Sequence, residues 1–277
     1  MKVLVGTLYS GENEFEECQA AIRSQVGVNF EQLIIRNKPE LEAHRLLFTT
    51  FLERANEFEL LVKVDADTVL GSPQLISRIA QRFRDEPNLE VLSIALKDFF
   101  TGALINGLVT FRNTVRWNFE KDTVFPDIPL LDPDRYHYDQ SDLAPAGMHS
   151  PNPSALQAFH YGVHRGLKSI QKIHSTTHWG LLNLVWKNFL KTQDRRIGFA
   201  ALGAELVYAG VFNREDQNYT APRMEEVFQK YADMNAGQVK KEIRMLRLRH
   251  WGFLPTDLRR RVLRHTRGKL ERNWDES

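Results

Sequence analysis

The chain has 277 residues, 42% of them hydrophobic and 26% charged, an ordinary profile for a globular protein of one large domain or a domain plus an extension. Its single cysteine, Cys18, excludes an internal disulfide, and nothing in the composition asks for an oxidising compartment. The net charge of +2 hides an asymmetry: residues 238–277 carry twelve Lys/Arg against five Asp/Glu, a tail at +7 on a body at −5.

Met1 and Lys2 lead into an apolar strand too short for the core of a signal peptide. The longest weakly polar run, Gly198 to Phe212, is interrupted by Glu205 and is too short to span a bilayer. The expectation is a soluble protein of the cytoplasm, or one that touches a membrane only at its surface.

Lys2 to Thr7 (KVLVGT) has the length and residue types of a central strand, closed by a polar turn at Leu8 to Glu12. Asn13 is the expected N-cap of a first helix, with Glu16 three residues on as reciprocal partner. Gln32 to Arg36 reads as a second strand, ended by Asn37 and Pro39, and a second helix is expected from Glu40 to about Asn56. In Leu60 to Leu70 (LLVKVDADTVL) a short buried strand of five residues runs into the acidic pair Asp65 and Asp67 at its carboxyl end. Ser72 and Pro73 open a third helix, which Glu86-Pro87-Asn88 ends, and Leu89 to Leu96 is another strand. The alternation of strands and helices predicts a parallel, doubly wound α/β sheet with ligand loops at the strand ends.

From Lys97 to Gly147 the pattern loosens. Gly107 to Arg112 fits a strand, Phe125 to Tyr138 a Pro- and Asp-rich loop, and Leu143 to Met148 a return to the sheet that delivers His149. Beyond residue 150 the chain is helical. A capping box of Ser154 and Gln157 opens this part, and its last two segments, Val239 to Leu248 and Thr256 to about Arg272, are basic.

Two carboxylates one residue apart at a strand end can share a divalent cation, which in turn holds phosphate oxygens. The bland alternative is a solvated turn. VDADTVL also matches the first motif of haloacid-dehalogenase-type phosphatases, whose first Asp is a nucleophile. That motif normally lies on the first strand. Here two strand–helix units precede it, and no later apolar strand ends in Gly-Asp-x-x-x-Asp.

Residues 1–150 resemble the GT-A glycosyltransferases, most closely the family 2-like nucleotide-sugar transferases. The features that carry the resemblance are the first strand with its GTLYSGENEFEEC turn, the strand ending at Asn37, the VDAD strand, and His149 after the irregular middle. The resemblance implies a Rossmann-like, mostly parallel sheet over 1–150, with 151–277 as a helical extension. It implies transfer of a sugar from a nucleotide-diphosphate donor, expected to be a UDP-sugar, to a glycan or lipid-linked hydroxyl, assisted by Mn2+ or Mg2+. Thr7, Tyr9, Glu12 and Asn37 then surround the nucleoside. Asp65 touches ribose or metal, Ala66 lies between the acids, Asp67 is the principal metal ligand, and His149 completes the metal shell. The chain departs from the family in its helical second half and in lacking the Glu-Asp pair where many inverting members keep their base. A sugar-nucleotide-binding protein without turnover is a third reading.

Several positions carry two readings. Glu12 is a nucleoside contact or a helix-entry acid, and His44 with Arg45 faces phosphates or solvent. His160 and His164, spaced i, i+4 without the Glu of HExxH, hold a metal or are partly buried, as do His174 and His178; Arg165 and Lys168 reach the diphosphate or lie on a helix surface. Candidate bases are Asp98, Asp127, Asp132, Asp139 and Asp142, with Asp98 favoured by its place at a strand end. Phe99, Phe100, Trp117 and Tyr136 are candidate sugar-stacking rings. The arginines at 259, 260, 261, 264 and 267 suit an anionic membrane surface or a solvated or intersubunit helix. No nucleic acid is expected, because no base-stacking or groove-reading motif accompanies the charge.

Overall fold

A computed structural model of the protein describes residues 1–117, 136–139 (backbone alone), 142–170, 175–217 and 221–249. The chain divides into two compact units, Met1–Pro153 and Ser154–Ser277.

In the first unit, β1 (Lys2–Tyr9) lies parallel to β2 (Asn29–Arg36) on one side and to β3 (Leu60–Lys63) on the other. In sequence α1 (Phe15–Arg23) separates β1 from β2, α2 (Glu40–Glu53) separates β2 from β3, and α3 (Leu75–Asp85) comes after the acidic turn. The alternation of side chains along a strand sorts the apolar residues into two cores. Val3, Val5, Val62, Leu92 and Ile94 meet Cys18, Ile22, Ile76, Ile79 and Phe83 from α1 and α3. Leu4, Leu61, Val91 and Phe111 meet Leu47, Phe48 and Phe51 from α2. Phe48 is fully buried and stacks on Trp117 at 4.2 Å, so truncating it to Ala removes about 3–5 kcal/mol of stability.

The sheet is mixed, which corrects the expectation of a mostly parallel one. Among the described residues its order is β2-β1-β3-β6-β5-β8-β4, with β7 (Tyr136–Asp139) also on β5. β5 (Val91–Asp98) and β6 (Leu104–Arg112) form a hairpin, closed by hydrogen bonds from Asp98 N to Ala103 O and from Gly102 N to Asp98 O (both 2.9 Å). So short a connection allows only an antiparallel pair, and β6 inserts between β3 and β5 antiparallel to both. The short strand expected ahead of the acidic pair is β3; the pair lies in the turn after it, and β4 (Thr68–Leu70) follows that turn. β4 pairs antiparallel with β8 (Gly147–His149). A Cβ on Gly147 would stand 2.1 Å from Val69 O, so only glycine permits this close approach. Residues 136–138, read as loop, belong to β7.

The expected Asn13 cap is also corrected: α1 starts after Glu14 with no side-chain cap, and Asn13 Nδ2 donates to Asn152 O at 2.7 Å.

The second unit contains α4 (Ala155–Ile170), α5 (Ser175–Thr192), α6 (Arg195–Tyr208), α7 (Pro222–Gln229) and α8 (Ala236–Arg249), with a 3-10 turn at Arg214–Gln217. The capping box at its start is formed: Gln157 N donates to Ser154 Oγ (3.1 Å) and Ser154 N to Gln157 Oε1 (3.4 Å). Within this unit Arg247 pairs with buried Glu205 at 2.7 Å, its guanidinium 4.2 Å above the Trp186 ring. The second basic segment of the tail lies outside the described residues.

Candidate functional site

Three chain segments meet at the ends of β1, β3 and β5. The first is the turn after β1. There Ser10 N donates to Glu12 Oε2 at 2.6 Å, and Glu14, fully buried, accepts from Asn152 N at 2.9 Å. The second is the acidic turn. Val64 N and Ala66 N donate to Gly6 O and Leu8 O (2.9 and 3.2 Å), so the backbone of the turn continues alongside β1. The third is the end of β8 and the residues after it, Ser150 to Asn152.

Asp67, His149 and Asp98 form a hydrogen-bonded row. His149 Nδ1 lies 2.7 Å from Asp98 Oδ1, and its Nε2 lies 3.2 Å from Asp67 Oδ2. Asp98 also accepts from Thr101 N at 2.6 Å, and its side chain has no solvent exposure. Ser150 clasps Asp67 twice, its N–H on the Asp67 carbonyl (2.7 Å) and its hydroxyl on Oδ2 (2.8 Å). It does so at a φ of 47°, a left-handed conformation that non-glycine residues seldom adopt. Asp65 is held differently: the ammonium of buried Lys63 donates to both its oxygens, at 2.7 and 2.8 Å.

The charges are crowded. Burial pushes the Asp67 carboxyl up, but the His149 imidazole, the Ser150 hydroxyl and Lys63 outweigh it and hold the group down at about 2. Burial pushes His149 down, and the flanking Asp67 and Asp98 outweigh that, raising it to about 10. Glu12 is raised from 4.5 to about 7 by burial, eased by the Ser10 N–H and reinforced by the negative charges of Asp67 and Asp65. Burial, with the same acids nearby, also raises the Cys18 thiol to about 12, which leaves it inert. When all are ionised, five carboxylates (Glu12, Glu14, Asp65, Asp67 and Asp98) stand at the site against three cations, Lys63, His149 and, beside the Glu12 turn, Arg36.

Asp67 Oδ2 and His149 Nε2 could together hold a hard divalent ion, provided the ion displaces the proton that His149 holds between the two acids. Two ligands on neighbouring corners of an octahedron with bonds of about 2.1 Å stand roughly 3 Å apart, and these donors are 3.2 Å apart. A carboxylate on the far nitrogen, here Asp98, is how a metal-ligating imidazole is usually oriented. Among the described residues there is no group of three or more His, Cys, Asp or Glu arranged to hold a metal. An ion held by these two alone would need its remaining ligands from outside the described residues.

Of the expected nucleoside contacts, Thr7 is buried and accepts from Gln32 Nε2 at 3.1 Å, which makes it part of the strand packing. Tyr9 packs at 4.2 Å against Phe15, and the Arg36 guanidinium lies over both rings, at 5.1 and 4.6 Å. Asn37, at a φ of 53°, donates its N–H to Tyr9 O at 2.8 Å. The ends of β1 and β2 thus place Tyr9, Arg36 and Asn37 together beside the Glu12 turn.

Other candidates are placed elsewhere. His44 is buried, with Nδ1 2.8 Å from Glu40 O, while Arg45 is exposed. His160 and His164 stack at 5.9 Å in the second unit, and His178 Nδ1 lies 3.2 Å from Arg165. Trp117 belongs to the α2 core and Phe100 is buried 6.4 Å from the His149 ring. Asp142 is exposed, 3.8 Å from Arg82. Asp127, Asp132 and His174 lie outside the described residues, as do the side chains of Tyr136 and Asp139. Sequence reasoning missed Ser150, Glu14 and Asn152. It noted Lys63 only as an intrusion, although a lysine inside an apolar strand two residues before an acid signals a buried ion pair.

No protein-family model matches this chain, and no curated protein does. Among solved structures it is similar to S. aureus TarS, at 13% identity and a TM-score of 0.35, over 88% of this chain and 54% of that one. It is also similar to A197 from STIV, at 13% identity and a TM-score of 0.30, over 40% of this chain and 65% of that one. The chain thus spans about half the length of the first and less than two thirds of the second. Similarity of this degree carries no functional argument, and the function rests on the residues themselves.

Proposed function

We propose that the protein is a glycosyltransferase that moves a sugar from a nucleotide-diphosphate donor to a hydroxyl acceptor, with residues 1–153 as the donor-binding domain. One observation carries this reading: the Asp67–His149–Asp98 row, in a cluster where carboxylates outnumber cations. A diphosphate would be repelled by that cluster unless a divalent cation came with it, and Asp67 with His149 supplies two donors at the right separation for one. Hard carboxylate oxygen with one imidazole suits Mn2+ or Mg2+. Such an ion supplies neutralisation of the charge that develops on the leaving diphosphate.

The protein's own groups then divide the work. Asp98, sealed from solvent and bonded to His149, is a positioning residue in this reading rather than the base. Ser150 fixes the rotamer of Asp67, and Lys63 cancels the charge of Asp65, which faces the ribose. Tyr9, Arg36 and Asn37 line the nucleoside side, with Glu12 beneath them. A UDP-sugar remains the proposed donor, and a glycan or lipid-linked hydroxyl the proposed acceptor.

Calorimetry of UDP and GDP binding to the full chain, with and without Mn2+, tests the reading. Binding that requires the ion is expected, followed by nucleotide release from the matching nucleotide sugar in the presence of acceptor. Absence of metal-dependent binding to either nucleotide would overturn it, and binding without turnover across a broad acceptor panel would leave a sugar-nucleotide-binding protein.

A further inference from the structure

We propose that the outward face of α8 docks on an anionic lipid surface. α8 buries Val239, Ile243 and Leu246, at i, i+4 and i+7, against its own unit. Its other side carries Lys241, Arg244, Met245, Leu248 and Arg249, at i, i+3, i+4, i+7 and i+8, which is one continuous helical face. All five are exposed, Met245 to 37% and Leu248 to 48%. None of the three cations makes an ion pair among the described residues, whereas Arg247, between the two faces, is committed to Glu205. Glu242, the helix's single acid, is half-buried and borders this face beside Arg249.

This combination selects its partner. Three cations against one bordering acid complement lipid phosphates, and each contributes near such a surface. The thioether of Met245 and the isobutyl group of Leu248 gain only if they leave water, which they do at the boundary between headgroups and acyl chains. Nucleic acid would use the cations but give the two apolar groups no role, and the face has no aromatic ring for a base to stack on. No helix among the described residues is long and apolar enough to cross a membrane. The sequence that follows, residues 250–277, continues the charge with seven Lys/Arg against four Asp/Glu. The inference is independent of the activity proposed for the first unit.

Sedimentation of the full chain with vesicles tests it, using phosphatidylcholine alone and phosphatidylcholine mixed with phosphatidylglycerol. Binding to the mixed vesicles only, reversed by salt, is expected. The double variant K241E/R244E should weaken it more than about tenfold, and M245S/L248S should weaken it with the charge unchanged. All four positions are exposed, so circular dichroism should match the parent. Failure to bind anionic vesicles would overturn the proposal, as would equal binding by both variants, which would place the contact beyond α8. A parent dimer that these substitutions dissociate, with vesicle binding unchanged, would make the face a self-interface and overturn it as well.

Discussion

Asp98 and His149 are neighbours across two parallel strands, joined at 2.7 Å although 51 residues separate them in the chain. The pairing of β5 with β8 over only two residue pairs, Lys97 with Met148 and Asp98 with His149, suffices to bring the carboxylate to the imidazole. The hairpin turn then locks it, with Thr101 N on Asp98 and Phe99 N on the His149 carbonyl (3.2 Å).

Asp98→Asn keeps the shape and removes the charge that orients His149. Metal-dependent nucleotide affinity should fall about 10–100-fold, the usual cost of losing such a partner. Calorimetry separates this from a base role: a base variant would lose turnover while binding the nucleotide normally.

Ser150→Ala removes one hydrogen bond to Asp67 and should cost about 1 kcal/mol in urea unfolding. Ser150→Gly loses the same bond but relieves the positive φ, so it should be the more stable of the two. The reverse order would mean that the left-handed conformation carries no strain.

Glu12 gives the metal-free protein a pH dependence with a definite sign. Its folded value, about 7, lies above the ordinary 4.5, so the stability tied to its protonated form is complete below about 4.5 and is lost as pH rises through 7. Glu12→Gln should flatten that segment of the stability profile and raise the melting temperature above pH 7. An unchanged slope would mean that Glu12 is ionised without penalty.

In the second unit, α4 and α6 touch through backbone. A Cβ on Gly162 would stand 1.8 Å from Ala200 O, and one on Gly203 2.3 Å from Phe159 O. Neither obstacle is a flexible side chain, so Gly203→Ala should destabilise by about 1–3 kcal/mol or more. Gly180, on α5 with nothing within 4 Å of its would-be Cβ, is the control: Gly180→Ala should stabilise by about 0.5–1 kcal/mol. Thermal unfolding of both variants should give shifts of opposite sign.

Much of this architecture is legible locally. The apolar run before Asp65 predicts β3, and the spacing of Leu75, Ile76, Ile79 and Phe83 predicts α3, because each element's own period marks its buried face. The antiparallel insertion of β6 is not legible that way, since strand period says nothing about strand direction. The hairpin signal was a lone Thr-Gly pair, Thr101-Gly102, inside a segment that looked irregular. Asp65, Asp67 and His149 could be singled out as residue types in suggestive positions. Their unequal roles depend on Lys63 and Ser150, which reach them through one buried ammonium and one left-handed turn, and neither feature has a period to read.

Asp67 bears the most weight, because it meets His149 Nε2 and, unlike Asp65, is not gripped by the Lys63 ammonium. The direct measurement is calorimetric titration of Mn2+ and UDP into Asp67→Ala, beside the parent and with melting temperatures recorded for both. The account predicts loss of metal-dependent nucleotide binding in a variant that still folds cooperatively. Binding equal to the parent's would contradict it.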